Sequence, residues 1–447
     1  MTESISDKIT SRTAHVAVIG LGYVGLPLAL ALAKAGYPTL GLEANAAKAD
    51  AINRGESYIE DVSDAELAPL VTSGTLRATT DYDELRAMDA IFICVPTPYT
   101  VQRAPDLAYI IQAAEGIAPR LQAGQIVVLQ STTYPGTTIE VVQPILEEAS
   151  GLQAGVDFHL AFSPERIDPG NQNWSAYNTP KVVGGLTPEC TAVAAALLRQ
   201  MGAPVHEVSS TGAAELTKLL ENTFRAVNIA LVNELAQLAE RMDIDFWEVI
   251  EAAKTKPFGF MSFYPGAGVG GHCIPIDPYY LLWKAREYDF YTRFIELAAE
   301  TNEAMPYHVI ELLTRGLSKQ GKPLSGSRVL VLGVAFKPDI GDARNSPAER
   351  VIELLLGRNA VVSYHDPFVP TYHVGGDVFQ RERVELTSIA LTPETLAAAD
   401  AVVIVTGHHD VPYDMVLEHA PLAVDCCNAT HGLEARATVV RLGAPLP

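Results

Sequence analysis

Cys273 stands in GVGGHCIPIDP, with glycines before it and Asp277 four residues after it. A thiol is a potential nucleophile, and glycines let a substrate come close to the backbone. By residue type alone, a cysteine is more often an inert core residue. His272 leaves two further options: pairing with the thiol or binding a metal. A metal site needs more ligands nearby. The other histidine-rich spot, GHHD at 407–410, supplies no zinc spacing, so no metal is expected.

Lys218 and Asn222 are four apart in a helical stretch and project from one face, with Arg225 three further on, near that face. A Lys or Asn among apolar residues needs a partner, although an exposed polar stripe would look the same. Glu165 and Arg166 follow the strand-like FHLAF, in SPERIDPGN, and Thr132 lies in QSTTYPG. Both are loops at strand ends, where sites of open α/β sheets gather. For Glu165 and Arg166 the plain alternative is a salt-bridged loop.

Gly20, Gly22 and Gly25 form G-x-G-x-x-G between a strand and a helix, with Tyr23 and Val24 inside the motif. Glu43 follows 23 positions after Gly20, at the end of the next strand. The glycines permit a tight turn and close backbone approach, so a pyrophosphate can sit on the helix N-terminus. Glu43 can accept from ribose hydroxyls and would repel a 2′-phosphate. No Arg follows it directly, so NAD is expected rather than NADP. A later segment repeats the strand-into-Gly pattern at RVLVLGVAF but lacks the second and third glycines. It is not expected to bind a second dinucleotide that way. Its loop instead carries Lys337 and Arg344, two cations suited to a phosphate or simply solvated.

These residues need elements to hold them. HVAVIG, PTLGLEA, DAIFICVPTP and QIVVLQ read as buried strands alternating with helices, which predicts a parallel, doubly wound sheet. Leu216, Leu219, Leu220, Thr223, Val227, Leu231, Leu235 and Leu238 recur at helical spacing, which predicts one helix of roughly 30 residues. A Gly/Pro-rich loop around Cys273 and more helix follow, then a linker at 318–327. RVLVLGVAF, AVVSYHDP and ADAVVIVT then read as a second α/β unit. Gly20 to Asp89 is 69 residues and Gly333 to Asp400 is 67, so the two units share a layout. The expected fold is α/β: two Rossmann-like doubly wound domains joined by a long central helix. The expected domains are 1–208, 209–317 and 318–447.

The chain has 447 residues, enough for two or three domains, and 32 Lys and Arg against 53 Asp and Glu give a net charge of −21. That acidity disfavours nucleic acid and anionic membrane as partners but leaves room for a local basic site. Five cysteines are too few, and odd in number, for a disulfide scaffold. With no signal-peptide pattern and no long apolar run, the expectation is a cytoplasmic protein.

GLGYVGLP, CVPTP, STTYPG, SPERIDPG, KLLENTFRAVNIALVNE, GVGGHCIPIDPYYL and GVAFKPDIGDARNSPA stand in the order of the UDP-glucose/GDP-mannose dehydrogenase family, which the chain resembles from about His15 to about Asn428. The resemblance implies oxidation of the C6 alcohol of a nucleotide sugar to a carboxylate, with two NAD per turnover. It implies that Cys273 is the nucleophile that carries a thiohemiacetal and then a thioester. Lys218 and Asn222 would stabilise oxyanions, and Asp277 would accept a proton with Lys218 and a water. Glu165 would serve thioester hydrolysis and Thr132 would orient water. Lys337, Arg166, Arg225 and Gly270 would contact the UDP-sugar, and Lys48, Thr97 and Arg344 the NAD. The resemblance further implies a homodimer or higher homo-oligomer formed through the long helix.

This chain departs from the family in two places: Glu43 stands where Asp is common, and Lys254 and Lys256 where a sugar-contacting Arg is usual. Glu165, Arg166, Pro169 and Gly170 resemble members that act on N-acetylated sugars in bacterial surface-polysaccharide or O-antigen synthesis. UDP-N-acetylglucosamine is expected, with UDP-N-acetylmannosamine and UDP-N-acetylgalactosamine as alternatives. A two-electron β-hydroxyacid dehydrogenase shares the helix pair but has no use for the cysteine. A non-catalytic NAD-binding protein would keep only the glycines.

Overall fold

A computed structural model describes residues 3–59, 62–100, 103–167, 173–175, 177–376 and 380–446. The chain divides into two compact units, one of residues 1–221 and 279–290, the other of residues 222–278 and 291–447.

The first unit is built on an eight-stranded sheet. Its strands are β1 (Val16–Ile19), β2 (Thr39–Leu42), β3 (Leu76–Thr79), β4 (Ala90–Ile93), β5 (Ile126–Leu129), β6 (His159–Phe162), β7 (Lys181–Gly185) and β8 (Val205–Glu207), in the order β3-β2-β1-β4-β5-β6-β7-β8. The central strands β1, β4 and β5 are four-residue apolar runs buried throughout, as a sheet covered on both sides demands. The order reverses between β1 and β4, and both strands end there side by side, with Ile19 opposite Ile93. Such a reversal leaves a crevice at the carboxyl ends of the strands.

The all-parallel expectation fails at one junction. β7 runs antiparallel to β6, with Ala161 opposite Gly185 and Phe162 opposite Gly184. Among the described residues no helix stands between the two strands, and antiparallel pairing needs none. The proline-stopped strand is also shorter than expected. β4 ends at Ile93, ahead of Val95 and the two prolines.

The second unit holds a five-stranded parallel sheet of β9 (Arg328–Leu332), β10 (Val361–His365), β13 (Ala401–Ile404), β14 (Leu422–Asp425) and β15 (Thr438–Arg441), in the order β10-β9-β13-β14-β15. A hairpin of β11 (Thr371–Val374) and β12 (Val384–Thr387) stands apart. The helix Arg293–Lys319 packs Met305, Val309, Leu312, Leu313 and Leu317 into the same core as Val329, Val331, Leu422 and Val424. It runs past the expected start of the linker.

The 31-residue helix Thr211–Arg241 contributes to both units. Ala214 and Leu219 are buried, as are Ala226, Ala230, Ala236 and Ala239. The two units thus realise the two Rossmann-type folds and the long helix that the sequence led one to expect. Among the described residues no helix is long and apolar enough to cross a membrane.

Candidate active site

The glycine loop starts where β1 ends. Gly20 has φ +86°, and a Cβ on it would meet the Cys94 carbonyl oxygen at 2.8 Å, so only glycine fits. A Cβ on Gly25 would lie 1.8 Å from the Gly20 carbonyl oxygen, which locks the helix Gly25–Lys34 against the loop. Gly22 is different: a Cβ there meets nothing within 4 Å. The first and third glycines are closed by the protein itself, while the second faces open space, as a cradle for a pyrophosphate requires. Val24 is the N-cap of that helix, and Tyr23 beside it is exposed.

Glu43 follows directly on β2. Its Oε2 accepts from the Leu21 amide at 3.1 Å and its Oε1 from the Asn45 amide at 3.1 Å. The carboxylate therefore braces the glycine loop, and each oxygen keeps acceptor capacity for ribose hydroxyls. Lys48 lies over the Tyr58 ring, whose hydroxyl donates to the Leu21 carbonyl at 2.8 Å, so this cation too is tied to the loop. The Thr97 carbonyl accepts from the Tyr280 hydroxyl.

The second sheet repeats this arrangement with one change. Gly333 follows β9 with φ +79°, and a Cβ there would lie 2.4 Å from the Thr406 carbonyl oxygen beyond β13. Asp366, beyond β10, takes the place of Glu43. Its Oδ2 accepts from the Val334 and Ala335 amides and meets His408 Nε2, while its Oδ1 accepts from Phe368 and Val369. Burial alone would raise its pKa, but His408 and these amides hold it below the ordinary carboxylate range. With both oxygens engaged and the side chain buried, Asp366 differs from Glu43, whose oxygens each take one amide.

The strand-end loops of the first unit are held by buried carboxylates. Glu215, fully buried on the long helix, accepts from the Gly136 amide at 2.6 Å, the Thr138 amide at 2.9 Å and the Thr138 hydroxyl at 2.6 Å. Burial pushes its pKa up against these bonds. It fastens the TTYPG turn, which begins at the half-buried Thr132, to the helix that carries Lys218.

Glu165 lies on the loop after β6, where Gln130, Lys181 and the amides of Arg166 and Ile167 all donate to it. Arg166 turns away from it, pairing with Glu221 at 2.6 Å and donating to the Pro180 carbonyl. The salt-bridged loop that the sequence left open is therefore present, with Lys181 and Glu221 as the unforeseen partners. Pro169 and Gly170 lie outside the described residues.

Lys218 and Asn222 are both buried, one turn apart on the long helix. Asn222 Nδ2 donates to Asp277 Oδ2 at 2.6 Å. Arg225, seven residues on from Lys218, lies about 20° round the helix from it, and its side chain is exposed.

Cys273 is exposed, and none of the five cysteines is in a disulfide. Its carbonyl accepts from the Ile276 amide at 3.1 Å and the Asp277 amide at 2.8 Å, which starts the helix Asp277–Ala285 at the cysteine. The positive end of a helix favours negative charge at that place. The glycines before it are closely packed. A Cβ on Gly270 would lie 2.7 Å from Phe336 Cβ, and the Asn345 side chain donates to the Gly271 carbonyl. Asn233, buried on the long helix, receives the Gly266 amide at 3.0 Å and anchors the start of the loop. Nothing in the sequence singled Asn233 out.

Arg344 is exposed and chelated by Asp342, and its Nη2 lies 3.1 Å from His272 Nε2. Burial and the Arg344 charge lower the His272 pKa, against the pull of Asp342. His272 therefore pairs with Arg344 in this structure. Lys337 is half-buried in the same connection. Lys254 is exposed and engaged by Glu251 and Tyr264.

Family comparison agrees with this geometry along the chain. Models of the UDP-glucose/GDP-mannose dehydrogenase family match at residues 14–202 (NAD binding domain), 212–304 (central domain) and 330–432 (UDP binding domain). The chain belongs to the UDP-glucose/GDP-mannose dehydrogenase family. A UDP-N-acetyl-D-glucosamine 6-dehydrogenase of Pseudomonas aeruginosa is 38% identical over 80% of this chain and 84% of its own length. A UDP-N-acetyl-D-mannosamine dehydrogenase of Pyrococcus horikoshii is 36% identical over 88% of this chain and 89% of its own. A solved UDP-D-ManNAc dehydrogenase from Pyrococcus horikoshii superposes with a TM-score of 0.87 at 32% identity, covering 96% of this chain and 99% of that one. The protein is an NAD-dependent nucleotide-sugar dehydrogenase. The open cradle at Gly22 and the acceptor at Glu43 fit NAD.

Proposed function

We propose that the protein oxidises the C6 alcohol of a UDP-N-acetylhexosamine, UDP-N-acetylglucosamine foremost, to the uronic acid. The observation that carries this reading is the buried Asn222–Asp277 hydrogen bond at 2.6 Å, with the Asp277 amide bonded to the Cys273 carbonyl. Nucleophile, carboxylate and helix amide are thereby fixed within one compact unit.

In this mechanism Asp277, with Lys218 and a water, takes the C6 hydroxyl proton, and Lys218 and Asn222 stabilise the oxyanion. NAD supplies the hydride acceptor for both oxidations. The Cys273 thiolate adds to the C6 aldehyde and gives a thiohemiacetal, and a second oxidation leaves a thioester. Water, ordered by Thr132 with Glu165 nearby in role, releases the carboxylate and restores the thiol. The covalent bond explains why a four-electron oxidation releases no aldehyde. Gly20, Gly22, Tyr23, Val24, Gly25, Glu43, Lys48, Thr97 and Arg344 serve NAD. Arg166, Arg225, Lys337 and Gly270 serve the UDP-sugar.

The N-acetyl preference is supported by the Glu165–Arg166 pair of the SPERIDPG loop and by relatives named for N-acetylated sugars. UDP-N-acetylmannosamine and UDP-N-acetylgalactosamine remain as second substrates to test, since a pocket that checks one hydroxyl configuration changes with few contacts. A homodimer is supported by the exposed stripe of Leu216, Leu220, Leu231, Leu235 and Leu238 on the long helix, with Met242 just beyond its end. The thiol chemistry suits a reducing cytoplasm, with the product passing to surface-polysaccharide synthesis. The test is an NADH-production assay across these three UDP-sugars and UDP-glucose. Highest kcat/KM with UDP-N-acetylglucosamine is expected, and highest kcat/KM with UDP-glucose would refute the N-acetyl assignment.

A further inference from the structure

Lys181 is the first residue of β7 and only 1% exposed. A buried lysine needs a counter-charge, and this one has Glu165. Nζ lies 3.0 Å from Oε1 and 2.9 Å from Oε2. The same carboxylate accepts from Gln130 Nε2 at 2.9 Å, the Arg166 amide at 2.7 Å and the Ile167 amide at 3.1 Å. Glu165 is thus a hub. Gln130 belongs to the segment that runs through Ser131 to Thr132, while Arg166 belongs to the loop after β6. One carboxylate joins the two strand-end segments.

β7 grips that loop at two further points. Ser163 donates to the Val182 carbonyl at 2.8 Å, and Arg166 donates to the Pro180 carbonyl at 2.7 Å. The antiparallel turn of β7 beside β6 is what brings Lys181 to this place. The titratable groups facing Glu165 are Lys181 and the buried Cys94 thiol, which reaches the same Gln130. Burial alone would raise the Glu165 pKa, but the Lys181 charge and the donated hydrogen bonds hold it below the ordinary range. Its oxygens are fully engaged, so it is poorly suited to carry a proton.

We propose that Lys181 is a positioning residue for thioester hydrolysis: it holds Glu165 as a buried, fixed anion, which locks the Thr132 segment to the Arg166 loop. This assignment rests on the proposed covalent mechanism. In it Glu165 acts by charge and geometry, and the hydrolytic water is ordered by the segment that Glu165 braces.

The experiment compares wild type with Lys181→Met, Glu165→Gln and the double variant. The readouts are thermal unfolding, the NADH burst with UDP-N-acetylglucosamine and NAD, and intact mass after quenching. Lys181→Met strands a buried charge and is expected to unfold at lower temperature. The double variant removes both charges and should regain most of that loss. If Lys181 positions the hydrolytic machinery, all three variants still form about two NADH per site rapidly. Their steady-state rate then falls about 100-fold, the cost of misplacing a reacting group by about 1 Å, and an acyl adduct accumulates on Cys273. A double variant that regains turnover together with stability would overturn the proposal, because the pair would then serve folding alone. So would a double variant that does not fold, or a Lys181→Met protein with wild-type turnover and no adduct. Wild-type protein that forms no NADH with any of the UDP-sugars would instead refute the reading of function on which the assignment rests.

Discussion

The glycine loop offers a prediction in which folding and binding separate. Gly22 and Gly25 look equivalent in the motif but not in space. A methyl group on Gly25 would sit 1.8 Å from a backbone oxygen, far inside van der Waals contact, and backbone cannot step aside cheaply. Overpacking of that kind costs about 1–3 kcal/mol or more, so Gly25→Ala should lose several degrees of unfolding temperature. A methyl on Gly22 meets nothing within 4 Å, and the residue is not among those with positive φ. Gly22→Ala should therefore be neutral in the absence of ligand, or gain about 0.4–1 kcal/mol through the unfolded chain. Its cost should appear only when NAD arrives. There the added methyl stands between the backbone and the pyrophosphate, and at least a tenfold loss is expected, or about 1.4 kcal/mol. Scanning calorimetry without ligand and titration calorimetry with NAD measure the two quantities on the same samples. A Gly22→Ala protein that binds NAD like wild type, or one that unfolds as readily as Gly25→Ala, would refute the cradle.

Three further outcomes are expected. Glu43→Ala should weaken NAD binding more than UDP-sugar binding, with some loss of stability because the Leu21 and Asn45 amides lose their acceptor; equal losses for both ligands in titration calorimetry would mark Glu43 as structural. Asp366→Asn should destabilise the fold by about 3 kcal/mol, since it breaks a buried carboxylate cluster. Because the folded Asp366 pKa lies below the ordinary Asp range, its contribution is present above the unfolded-state pKa and fades as pH falls through the folded pKa, so the variant's unfolding temperature should depend less on pH in that acid range. Leu235→Glu, a charge placed in the exposed stripe of the long helix, should shift the protein toward monomer in light scattering, while an unchanged mass would move the interface elsewhere.

What the sequence disclosed, and what it hid, follows from the range of the interactions. The Gly20–Gly25 loop, Glu43, the long helix and the second sheet were legible, because each is a local pattern set by strand and helix periodicity. Gly22 could not be told from Gly25 without the space around them. Lys181, sixteen residues from Glu165, carried no signal in NTPKVVGG, because only the antiparallel pairing of β7 makes them neighbours. Asn233 and Glu215 looked like ordinary polar positions on a helix, yet each is buried to hold a loop distant in sequence. Asp366 shows the reverse: the repeat of the glycine turn was visible, but its five hydrogen-bonding partners were not.

The central claim is a four-electron oxidation carried covalently by Cys273. It is tested most directly by counting NADH formed per UDP-N-acetylglucosamine consumed, with wild type and with Cys273→Ser. The account predicts a ratio near two for wild type, and for the serine variant no steady production of the uronic acid. A wild-type ratio near one, or a serine variant that delivers the carboxylate at an unchanged rate, would contradict it.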